Sequence, residues 1–277
     1  MQCDDDDNLK QFTIIVPSLQ SLSLFIPGDR FLDGYVINAS SLNYLKLEDW
    51  NELSHYSLIE NMPELREAYV DVRRFHLKGL IESITTLKHL TICSAVISAD
   101  FNFNQLEHLT LYSLDFLGQL LNVSPKLRVL DIFLEEVISR PGQKIRTRKP
   151  DPDPTQKTRS EIAPGPNRIL YVPTRKPEPN MKKPEKTLKN PKCPVPECLL
   201  SSLQIFNWSR YFGRPQDRDI AVFILKNARH LKKATILADT DEHSVPNLQM
   251  IKELALSPRA SSTCQLVFDE GRELNHN

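Results

Sequence analysis

The sequence predicts an α/β fold in which short parallel strands, one per repeat, are stacked side by side with helical or extended returns. Three observations carry this expectation: a leucine pattern recurs at near-constant spacing, a basic proline-rich stretch interrupts it, and the pattern resumes in register beyond the interruption.

The pattern is a leucine, two residues, an apolar residue, one residue and a second apolar residue. It appears as LQSLSL (from Leu19), LNYLKL (Leu42), LREAYV (Leu65), LKHLTI (Leu87), LEHLTL (Leu106) and LRVLDI (Leu127). Successive first leucines are 23, 23, 22, 19 and 21 residues apart, within the leucine-rich-repeat range of about 20–29 residues. The last two apolar positions are two apart, so both point to one side of a short strand and the residues between them point to the other. One such strand cannot bury its own apolar face. Several stacked in parallel make a continuous core, with the returns on the convex side. The fold class is therefore an irregular leucine-rich-repeat solenoid with parallel strands. For returns such as NELSHYSLIE (51–60), a helix and an extended segment both fit.

From Ser139 to Lys192 the composition changes. Eleven prolines fall between Pro141 and Pro191, and fifteen Lys/Arg face five Asp/Glu between Arg140 and Lys192. Proline lacks a backbone donor, and so charged a segment buries too little to offset an ordering cost of about 1–2 kcal/mol per residue. A disordered tether is expected. The segment lacks glycine-rich or regular aromatic interleaving, so a solvated linker is favoured over a nuclear-import or nucleic-acid element.

The period then returns at LQIFNW (Leu203, Phe206, Trp208) and LKKATI (Leu231, Ala234, Ile236). Leu127 and Leu203 are 76 residues apart, or 22 once the 54 of the interruption are set aside. That is one ordinary repeat, and it places Trp208 beside Ile132. Between these motifs, RPQDRDIAVFILKNARH predicts a helix with acidic residues in its first turn, basic ones in its last and an apolar stripe of Ile220, Phe223, Ile224 and Ala228. A second helix is expected over PNLQMIKELAL and a closing strand at CQLVF, giving a C-terminal βαβαβ cap. The organisation is an acidic tail (1–16), leucine-rich repeats (17–138), the basic insertion (139–192), a C-terminal domain continuing the solenoid (193–270) and a tail (271–277).

Strand alternation also names the outward, concave face. Its candidate protein-binding residues are Tyr44, Lys46, Glu67, Tyr69, His89, His108, Tyr112, Asp131 and Phe133, flanked by Glu48, Asp71, Thr91, Thr110, Asn207, Ser209, Lys233 and Thr235. Tyrosines among charged groups suit protein recognition. His89 and His108 hold the same repeat position and read as surface histidines rather than metal ligands.

Little else points to chemistry. Eight glycines, none two apart, exclude dinucleotide and phosphate-loop signatures. No nucleophile elbow, HExxH or paired-carboxylate pattern is present, so no catalytic residue, cofactor or metal is assigned and no enzyme is expected. Five scattered cysteines without zinc spacing read as reduced thiols. With no signal sequence at the N-terminus, no apolar run long enough to span a bilayer and a formal net charge of zero, the expected setting is cytoplasmic or nuclear. No membrane or nucleic-acid partner is expected.

The stretches VPECLLSSLQIFNW, GRPQDRDIAVFILKNARHLKKATI and KELALSPRASSTCQLVFD, in one order over residues 195–269, resemble the FBD domain of plant F-box/FBD/LRR-repeat proteins. The repeats from 17 to 134 fit the leucine-rich region of that family. The resemblance implies the substrate-recognition part of a ubiquitin ligase receptor, with a protein ligand as partner. Members of the family usually begin with an F-box, a short helical module that docks on a Skp-type adaptor. The sixteen residues before Pro17 are too few to hold one. An interaction scaffold without an F-box is therefore expected. The alternatives are a ligase subunit with another docking element, and a nuclear or nucleic-acid accessory protein acting through the insertion.

Overall fold

Each leucine motif becomes a strand. They run as β2 (Ser21–Ile26), β4 (Tyr44–Asp49), β6 (Glu67–Val72), β7 (His89–Ile92), β8 (His108–Leu111), β9 (Val129–Phe133), β10 (Ile205–Tyr211) and β11 (Lys233–Ala238). The apolar run CQLVF contributes β12 (Gln265–Glu270). All nine pair in parallel in one sheet, in the order β12-β11-β10-β9-β8-β7-β6-β4-β2. This computed structural model describes residues 10–28, 32–51, 56–60, 62–72, 86–93, 102–134, 194–238 and 248–270. They belong to one compact unit drawn from residues 1–136 and 186–277. The expected basic insertion, the first nine residues and the tail 271–277 lie outside the described residues.

The inward rows follow the leucine spacing. Leu45, Ala68, Leu90, Leu109, Leu130, Phe206 and Ala234 align across the sheet, and Leu47, Val70, Ile92, Leu111, Ile132, Trp208 and Ile236 align two residues further on. All are buried, and the first leucines Leu42, Leu65, Leu87, Leu106, Leu127, Leu203 and Leu231 are at most 1% exposed. A backbone device repeats just before the strands. The carbonyl of Gln20 accepts the N–H groups of Asn43 and Tyr44, and Asn43, Arg66, Lys88, Glu107, Arg128 and Gln204 each do the same for the next strand. One carbonyl thus satisfies two donors at each step, which holds the strands in register where the chain enters the sheet.

The register is continuous across the interruption. Residues Ile205–Ser209 pair one for one with Val129–Phe133, with Trp208 opposite Ile132. The chain re-enters through α2 (Glu197–Ser201), which packs beside α1 (Leu117–Val123). The Cys198 thiol lies 3.2 Å from the Leu121 carbonyl, and burial pushes its pKa up to about 12. Ser202 Oγ lies 2.9 Å and 2.8 Å from the carbonyls of Pro125 and Leu127.

Behind the first strands is a second parallel sheet of three, in the order β1 (Gln11–Ile15), β3 (Gly34–Asn38), β5 (Tyr56–Glu60). The return at 51–60, for which helix and extended chain both fitted, is extended at 56–60. The segments QFTII, GYVIN and YSLIE are rich in β-branched and aromatic residues, which favour a pleated surface over a helix. Tyr35, Ile37 and Ile59 are buried in the same core as the leucines. Tyr35 donates to the buried Asp49 carboxylate at 3.3 Å, and burial followed by the Asp49 charge raises the phenol pKa well above its usual range.

The later returns are helices: α3 (Pro215–Asn227) between β10 and β11, and α4 (Leu248–Ala255) before β12. Both expected helices and the closing strand are present, giving β10–α3–β11–α4–β12. Proline opens α3, and Asp217 in its first turn accepts the Arg214 N–H at 3.2 Å. Ile220, Ile224 and Ala228 are buried as the stripe predicts. Phe223 is only partly buried, and Ala221 and Leu225 fill the rest of the interface. Arg218 reaches from α3 to Glu253 on α4 at 2.8 Å.

Candidate functional site

The residues between the buried rows form an outward face with a fixed register. Its first row is Ser21, Tyr44, Glu67, His89, His108, Val129, Ile205, Lys233 and Gln265. The second is Ser23, Lys46, Tyr69, Thr91, Thr110, Asp131, Asn207, Thr235 and Val267. The third includes Phe25, Glu48 and Asp71 on β2, β4 and β6. It also includes Phe133 and Ser209, which pair across β9 and β10. All nine sequence-predicted site residues lie on this face, Tyr112 immediately after β8 with its ring 5.2 Å from that of Phe133.

The structure brings them together in three clusters. On β4 and β6, Lys46 pairs with Glu48 at 3.0 Å and lies over the Tyr69 ring at 5.2 Å. Burial, then a hydrogen bond with Cys93, raises the Tyr69 pKa well above its usual range, with Asp71 and Glu48 adding to it. That phenol stays protonated and serves as a hydrogen-bonding group. In the centre, the His89 and His108 rings meet edge to face at 5.6 Å. His108 Nε2 lies 2.6 Å from one Asp131 oxygen, and Asn207 Nδ2 donates to the other at 2.8 Å. Among the described residues no three His, Cys, Asp or Glu side chains are grouped to hold a metal ion. The third cluster is the Tyr112–Phe133 pair, over which the Arg210 guanidinium sits 5.5 Å from the Phe133 ring centre.

Simple alternation misses Arg210, because it would turn inward two residues after Trp208. The β10–β11 register instead shifts between Trp208 and Tyr211, and Arg210 takes φ 57°, in the left-handed region. This bulge sends Tyr211 into the core at 1% exposure and places Arg210 on the surface. The trace in the sequence is the spacing NWSRY, where the next apolar residue after Trp208 comes three positions on instead of two. The reading also passed over Val129 and Ile205, apolar members of the first row. Trp50 was missed as well; its ring meets Phe25 edge to face at 5.1 Å and its Nε1 donates to Asp71 at 3.0 Å.

Comparison with known proteins places this arrangement. The family model described as FBD matches residues 190–236, which carry α2, β10, α3 and the start of β11. An FBD-associated F-box protein of Arabidopsis thaliana is 51% identical over 259 residues, 91% of this chain and 53% of the relative. The chain belongs to the plant F-box/FBD/LRR-repeat family. A putative FBD-associated F-box protein from the same plant is 51% identical over 274 residues, covering 96% of this chain and 60% of that protein. An F-box/FBD/LRR-repeat protein, again from Arabidopsis thaliana, is 34% identical over 275 residues, 95% of this chain and 54% of its own length. The chain thus spans a little over half the length of these family members. No solved structure matches it. Asn207 and Arg210 lie in the part matched as FBD, and the other outward residues named above, from Tyr44 to Phe133, lie in the repeats before it.

Proposed function

We propose that this chain is a non-enzymatic protein-interaction scaffold, a leucine-rich-repeat solenoid whose outward, concave sheet face binds a protein ligand. The observation that carries the reading is the continuous run of half-exposed Tyr44, Lys46, Tyr69, Tyr112 and Phe133, fixed in register across the sheet. Pre-positioned aromatic side chains offer large contact area at small ordering cost. No helix in the described residues is long and apolar enough to cross a membrane, and the proposed setting is the cytoplasm or nucleus. Affinity capture with wild type and with Tyr44→Ala, Tyr69→Ala and Tyr112→Ala variants tests the reading. The variants are expected to lose a protein that the wild type retains, and full retention by all three contradicts the face assignment.

The names of the relatives favour a second reading, in which the chain is the substrate-recognition part of a ubiquitin ligase subunit. Stoichiometric binding of a purified Skp-type adaptor by this chain supports a ligase subunit with its own docking element. Absence of binding leaves the scaffold role alone.

A further inference from the structure

The geometry points to an anchor for a carboxylate-bearing peptide at the Tyr112–Phe133–Arg210 corner of the outward face. This rests on the protein-binding reading above and names the chemistry of the partner.

Three observations converge. First, Arg210 holds φ 57° although it is not glycine, a conformation that costs an L-residue about 1–2 kcal/mol. The bulge that imposes it turns the side chain from the core to the surface, and such strain is concentrated where a side chain must be re-aimed. Second, the guanidinium lies 5.5 Å from the centre of the Phe133 ring, itself packed on Tyr112, so the charge is held at this corner before any ligand arrives. Third, its charge is uncompensated among the described residues. Lys46, Lys88 and Arg218 pair with Glu48, Glu107 and Glu253 at 3.0, 3.4 and 2.8 Å, but no described carboxylate pairs with Arg210.

Among the described residues, the third-row positions on β9, β10 and β11 are Phe133, Ser209 and Leu237, and the first carboxylate of the row is Asp269, one strand further on β12. The carboxylate one row away, Asp131, has both oxygens engaged by His108 and Asn207. A carboxylate would meet the guanidinium in a two-point hydrogen bond while an apolar side chain packs beside the Phe133 ring.

The test is fluorescence polarisation with a labelled peptide of glutamates flanking one phenylalanine, its glutamine counterpart, and wild-type, Arg210→Gln and Arg210→Gly proteins. The glutamate peptide is expected to bind wild type, to weaken with added salt, and to bind both variants about tenfold more weakly. Arg210→Gly relieves the left-handed strain, so its Tm is expected to stay level or rise while affinity falls, which separates lost binding from lost folding. Equal binding of the glutamine peptide, unchanged affinity in Arg210→Gln, or equal competition by a DNA duplex overturns the proposal. If the tyrosine variants lose their captured protein while the glutamate peptide ignores Arg210, the binding face stands and the acidic anchor falls.

Discussion

The two ends of the nine-stranded sheet bury the same kind of inward row against different backs. Around β2, β4 and β6 the back is the three-stranded sheet, whose Tyr35, Ile37 and Ile59 meet the leucines. From β8 to β12 the described returns include helices, whose Leu120, Leu121, Ile220, Ile224 and Leu254 do the same work. The difference follows local sequence. GYVIN and YSLIE carry β-branched and aromatic residues over five positions, too few for a helix that could bury a stripe. PQDRDIAVFILKN has thirteen residues, a proline start, complementary end charges and apolar residues three and four apart. A front sheet fixed by leucines thus accepts either backing, and the outward face continues unchanged over both.

The strongest way to probe this contrast is to empty the core on each side. Trp208 is fully buried between Ile132 and Ile236, and Trp208→Ala should cost about 3–5 kcal/mol. Ile37 is equally buried in the three-stranded sheet, and Ile37→Ala should cost about 3 kcal/mol. Urea denaturation gives the sizes, and hydrogen exchange gives the location. Protection should fall first around β1, β3 and β5 for Ile37→Ala and around β9–β11 for Trp208→Ala.

A smaller effect of opposite sign is expected beside Trp208. The Tyr211 hydroxyl is buried without a hydrogen-bond partner among the described residues, so Tyr211→Phe removes an unmet polar group. It should be neutral or stabilising by up to about 1 kcal/mol, and a loss in thermal unfolding would show that the hydroxyl is satisfied.

The smallest effect is a pH dependence confined to the helix-backed end. Desolvation raises the Asp217 pKa above the ordinary 3.8, against the opposing influence of the Arg214 N–H and charge. An acid whose pKa is raised on folding contributes stability below its unfolded value and loses it as pH rises through the folded value. Asp217→Asn keeps an acceptor for the Arg214 N–H without the charge. It should therefore gain on wild type as pH rises through that window, with a constant gap above it. A gap that does not change with pH would contradict the shift.

Much of this was legible beforehand, for reasons that also set the limit. Leucine alternation encodes which residues face inward and outward, from Tyr44 to Phe133, and the repeat period encodes the parallel strands and their register through Trp208. The second sheet was not legible as such, because a five-residue return such as YSLIE carries no period long enough to separate strand from irregular chain. The bulge at Arg210 breaks the alternation on which the face was read. The contacts among outward residues, such as His108 with Asp131, join positions on neighbouring strands that are offset by a row, and only the packed side chains decide them.

The central claim is that β9 and β10, far apart in the chain, build one continuous outward face. Asp131 and Asn207 meet across that boundary at 2.8 Å. A double-mutant cycle with Asp131→Ala and Asn207→Ala, read by urea denaturation, tests it most directly. A coupling of about 1 kcal/mol is the predicted result; strictly additive losses would contradict it.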